Sequence, residues 1–74
     1  MNDRLGKCLK DLRKQKGIGL IQLSKAIGVD RAHISRIESG KTLPSDQLLR
    51  RLSKRLGGDI EVLTVLSGRL PPDI

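Results

Sequence analysis

The sequence contains no Phe, Trp or Tyr, a single cysteine and a single histidine. Without aromatic rings the core has to be assembled from Leu, Ile, Val and Ala. The same absence argues against single-stranded nucleic acid as a ligand, because such strands are gripped largely by stacking bases on aromatic faces. Cys8 has no partner for an internal disulfide, so a reducing cytoplasm is expected. A zinc site needs three or four ligands, which Cys8 and His33 in different segments do not supply. No metal or other cofactor is expected. No apolar run exceeds three residues, which leaves no signal peptide and no membrane span to be read. No paired carboxylates and no nucleophile–base set fall together, so an enzyme is not expected.

What remains is small and basic. The 74 residues leave room for one domain, residues 1–74, with one core. At 36% hydrophobic and 31% charged, the composition is that of a folded chain rather than a disordered one. The net charge of +7 points to a polyanionic partner. The charge is uneven. Residues 1–40 carry nine Lys/Arg against four Asp/Glu, residues 41–58 five against one, and residues 59–74 one against three.

Glycines divide the chain into short segments with helical periodicity. Residues 3–16 place Leu5, Leu9 and Leu12 on one stripe, with Cys8 beside them as buried filler and Gly17 as terminator. Residues 20–27 place Leu20, Leu23 and Ile27 together before Gly28. Asp30 is the expected N-cap of a third helix, 31–39, whose inner stripe is Ile34 and Ile37 and which Gly40 ends. Ser45 caps a fourth, carrying Leu48, Leu49, Leu52 and Leu56 and ended by Gly57-Gly58. Asp59 caps a fifth, 60–67. No segment alternates as a strand would.

The second and third segments, joined by a glycine-led turn, match a helix-turn-helix unit. In such a unit one helix braces across the DNA backbone while the next lies in the major groove. With Ile34 and Ile37 inward, Arg31, Ala32, Ser35 and Arg36 face outward. Arginine presents two donors to guanine O6 and N7, alanine meets a thymine methyl, and serine donates or accepts. His33 reads as a surface or DNA-backbone residue.

The stretches "LGKCLKDLRKQKGI", "QLSKAIGVDRAHISRIESGK" and "PSDQLLRRLSKRLG" resemble the Cro and lambda-repressor-like helix-turn-helix regulators, the XRE family. The likeness covers roughly residues 5–60. It implies an all-α fold, a compact five-helix lambda-repressor-like DNA-binding domain with its helix-turn-helix at about residues 20–39. It also implies base reading by Arg31, Ala32, Ser35 and Arg36, phosphate contact by Lys41 and Thr42, and a structural ion pair between Arg13 and Glu38. The sequence departs from the family at the start of the second helix. Gly19 and Leu20 stand where the family often has a cap and a phosphate-bracing glutamine.

Residues 59–74 form an expected C-terminal helix and tail. If Ile60, Leu63 and the Leu66–Ser67 edge face the core, Val62 and Val65 are left outside. Val62, Val65 and Leu66 are therefore the expected dimer interface, in keeping with the two-fold dimers usual in the family. The reading is a sequence-specific double-stranded-DNA-binding transcriptional regulator, a homodimeric repressor reading a near-palindromic operator at the nucleoid. Two alternatives stay open. One is an antitoxin-type autorepressor that presents Leu20, Ile21 or the C-terminal segment to a toxin. The other is a helix-turn-helix fold used only for protein–protein interaction.

Overall fold

The computed structural model describes residues 3–68, which form five helices and no strand. They are α1 (Asp3–Gln15), α2 (Leu20–Ile27), α3 (Arg31–Glu38), α4 (Asp46–Leu56) and α5 (Ile60–Leu66). The expected tail, residues 69–74, lies outside the described residues. The expected ends of α1, α3 and α5 each fall one residue late. Lys16 is already in a turn, while Ser39 and Ser67 are the C-caps of their helices.

The core is wholly aliphatic, and among the described residues its buried members are Leu and Ile only. Leu5 and Leu9 of α1 and Leu49, Leu52 and Leu56 of α4 are at most 2% exposed. They meet Leu23 and Ile27 from α2, Ile34 and Ile37 from α3, and Leu63 from α5. Leu20, Val29 and Leu12 are half-buried around this centre, as is Cys8. Burial, with a smaller push from Asp11, raises the Cys8 thiol above its ordinary pKa, as befits packing filler rather than a nucleophile.

Side chains cap two of the helices as expected. Ser45 Oγ accepts from the Leu48 amide at 3.2 Å, and Asp59 Oδ1 accepts from the Glu61 amide at 2.9 Å. Asp30 is a correction. It occupies the N-cap position of α3 with extended backbone, but its side chain accepts no capping bond. Its backbone carbonyl instead takes the amides of both His33 (3.0 Å) and Ile34 (3.2 Å). The tightened first turn thereby satisfies the donor that a side-chain cap would have served.

The helices are not equally connected. The first helix packs on α3, α4 and α5, while α2 packs on α3 and α4. The fifth helix packs on α1 and α4, and its backbone approaches neither α2 nor α3. Among the described residues, no helix is long and apolar enough to cross a membrane.

Candidate nucleic-acid interface

The turn between α2 and α3 is set by Gly28, whose φ of 86° is left-handed and strained for a side-chain-bearing residue. Its amide and that of Val29 both bond back to the Ser24 carbonyl, at 2.8 and 3.2 Å, closing the end of α2. The chain then re-enters a helix within three residues. At the same end of α2, Arg51 Nη1 reaches the Ile27 carbonyl at 3.5 Å. The buried leucines of α4 place it behind the turn, and the Arg51 contact follows from that packing.

Ile34 and Ile37 are each 2% exposed and fix the rotation of α3. Arg31, Ala32, Ser35 and Arg36 are consequently all exposed on the other side, and His33 is half-buried between the two faces. Lys41 is exposed and Thr42 half-buried in the loop that follows.

Two contacts with α1 hold α3 in depth and tilt. The Arg13 guanidinium donates from Nε to Glu38 Oε2 at 2.7 Å and from Nη2 to Oε1 at 3.0 Å. Its remaining nitrogen, Nη1, donates to the Ile18 carbonyl at 2.9 Å. One side chain therefore ties the end of α3 to α1 and to the loop that leads into α2. The pair is buried, with side-chain exposures of 10% and 7%, and the Glu38 bond raises the Arg13 pKa further from neutrality. The second contact is at Gly6, where α1 meets the end of α3 backbone to backbone. A Cβ there would collide with the carbonyl oxygens of Ile37 and Glu38. Nothing in the local pattern of α1 marked Gly6 for this role, because a mid-helix glycine by itself reads as a weak helix former.

The start of α2 carries no side-chain cap. Gly19 has no side chain to cap with, and the Gln22 side chain reaches back so that Oε1 accepts from the Gly19 amide at 2.9 Å. The amides of Leu20, Ile21 and Gln22 are left without an acceptor among the described residues. Leu20 packs inward while Ile21 stands 51% exposed. Between the start of α2 and the outward face of α3 runs an open groove, lined by Leu20, Ile21, Ala32, Ser35, Arg31 and the Glu38-paired Arg13. No carboxylate lines it.

The groove thus gathers Arg31, Ala32 and Ser35, with Arg36 further along α3. It does not gather the α5 residues. Val62 and Val65 are 51% and 61% exposed on a helix whose backbone approaches neither α2 nor α3, and Leu66 is half-buried against the core. Among the described residues, no group of three His, Cys, Asp or Glu side chains is placed to hold a metal ion.

A helix-turn-helix family model matches residues 9–63. The chain is also similar to the ImmF control region 10 kDa protein of Bacillus phage phi105. The two are 38% identical over 60 residues, covering 81% of this chain and 67% of the phage protein. The HTH-type transcriptional regulator SinR of Bacillus licheniformis is 38% identical over 64 residues, 85% of this chain and 56% of that regulator. The Bacillus subtilis SinR is 38% identical over 63 residues, 84% of this chain and 55% of its own length. The chain therefore spans little more than half of either SinR.

Proposed function

The chain belongs to the helix-turn-helix family of transcriptional regulators, and from that premise we propose that it is a homodimeric repressor reading a near-palindromic operator through the major groove. The observation that carries this reading is the outward face of α3. Four adjacent polar or small side chains, Arg31, Ala32, Ser35 and Arg36, are exposed on a helix whose opposite face is fully buried. A major groove admits one such helix, and its base edges present acceptors and methyl groups that these residue types complement.

Roles divide by chemistry. Arg31 and Arg36 read guanine edges, with Ala32 and Ser35 beside them. Lys41, Thr42 and His33 hold phosphates, which fix register and affinity without carrying sequence information. The bare amides at the start of α2 replace the side-chain anchor that Leu20 does not provide, since an exposed helix start attracts phosphate through its N–H groups. Arg13 and Glu38 are structural.

The dimer is assigned to α5. Val62 and Val65 are two of the four large apolar side chains that stand exposed among the described residues. They sit on a segment whose first turn is acidic, on an element whose backbone stays clear of the reading helix. With Leu66 beside them they form the patch that a second copy covers. Two reading helices then fall one DNA turn apart, roughly 34 Å.

The test is selection of bound duplexes from a random library, followed by titration of the winner and a scrambled duplex across a range of salt. A near-palindromic winner, bound at least ~10³-fold more tightly than the scramble, is the expected result. Equal binding to both, falling steeply as salt rises, would reduce the interaction to phosphate attraction and overturn the reading.

A further inference from the structure

We infer that Ile21 is a specificity-determining residue, which with Ala32 walls a notch that takes the 5-methyl group of a thymine in the operator. The inference rests on the base-reading role proposed above and assigns it a contact contributed by α2.

Three observations lead to it. Ile21 is 51% exposed although its neighbours Leu20 and Leu23 turn inward, so the core does not account for its side chain. It shares a groove with Ala32 and Ser35, the small residues of the reading face. The groove also carries Arg31, answered by no carboxylate in its lining, whereas the charge of Arg13 is taken up by Glu38; the one available cation suits a polyanion better than the apolar segment of a protein partner.

The chemistry then narrows the occupant. Among the groups a base pair presents in the major groove, only the thymine methyl is apolar. An alanine methyl alone forms one side of a contact with it. An isoleucine on the facing helix supplies a second side, so that the methyl loses water on both. Hydrogen bonding contributes nothing to this contact, and it therefore discriminates thymine from cytosine by the methyl group alone.

The experiment is a thymine-to-deoxyuridine scan of the selected operator, which removes one methyl at a time and leaves every hydrogen-bonding group in place. Binding is measured for the wild-type chain and for Ile21→Ala, a substitution at an exposed side chain outside the core. The expected result is one thymine per half-site whose methyl is worth about four-fold in affinity, the value of one buried methyl-sized group. On Ile21→Ala that methyl effect should fall to about two-fold or less, so that the two changes are not additive.

Undiminished methyl dependence in Ile21→Ala would mean that Ala32 reads the methyl without Ile21, and would overturn the inference. So would an operator indifferent to methyl loss at every thymine. These results leave the base-reading role itself standing. Failure to select any preferred duplex would remove that role and the inference together.

Discussion

Arg13 and Glu38, 25 positions apart in the chain, face each other so that the guanidinium edge and the carboxylate form two parallel hydrogen bonds. The guanidinium is not exhausted by this, because its third bond goes to the Ile18 carbonyl. The residue that looks like one half of an ion pair is therefore a junction of α1, α3 and the approach to α2.

Removing either partner leaves a buried charge without its counter-ion. Glu38→Ala or Arg13→Ala should each cost about 3–5 kcal/mol. A domain of this size has only roughly 4–11 kcal/mol in total. Urea unfolding should show that loss as a lower midpoint, and the double variant should lose clearly less than the two singles added. A loss under about 1 kcal/mol for the singles would make the pair a solvated surface contact.

Gly6→Ala sets two effects against each other. Alanine improves helix propensity by up to about 1 kcal/mol. Its methyl, however, would stand 2.5 Å from the Ile37 carbonyl oxygen and nearer still to that of Glu38, both backbone atoms that cannot rotate away. Overpacking of that kind costs typically about 1–3 kcal/mol and should win. Gly6→Ala is expected to unfold at lower urea than wild type, while alanine at exposed Lys7 or Lys10 of the same helix is expected to be near neutral.

On DNA, Arg36→Ala and Lys41→Ala should separate. Loss of a paired guanine contact costs about 1–3 kcal/mol on the operator and little on scrambled duplex. Loss of a phosphate contact weakens both duplexes alike and lowers the salt slope by about one. Equal losses on both duplexes for Arg36→Ala would remove it from the reading face.

Val62→Asp places a charge on the proposed dimer patch without touching the core, since Val62 is already 51% exposed. Sedimentation should show a monomer, thermal unfolding at low protein concentration should change little, and affinity for the full operator should drop towards that for a half-site. A variant that stays dimeric would move the interface away from α5.

The parts of this molecule that the chain announces are those written locally. Leucines and isoleucines at helical spacing fixed which faces are buried. Gly28 and Ser45 marked a turn and a helix start, because left-handed backbone and amide capping each depend on a residue type and its immediate neighbours. Other features needed two distant segments to be brought together. Gly6 becomes indispensable only once the end of α3 lies across α1. Arg51 meets the Ile27 carbonyl only because α4 packs behind α2. Asp30 misled for a subtler reason. The residue type was right for a cap, but its backbone carbonyl had already bonded the amide in question.

The fifth helix packs on α1 and α4, and its backbone stays clear of α2 and α3. In the proposed dimer, the distance between half-sites and the sequence of each half-site are therefore written in separate parts of the molecule. Substitutions on α5 can retune spacing while those on α3 retune letters, each without spoiling the other. A lineage built on this chain could diverge along either axis one mutation at a time.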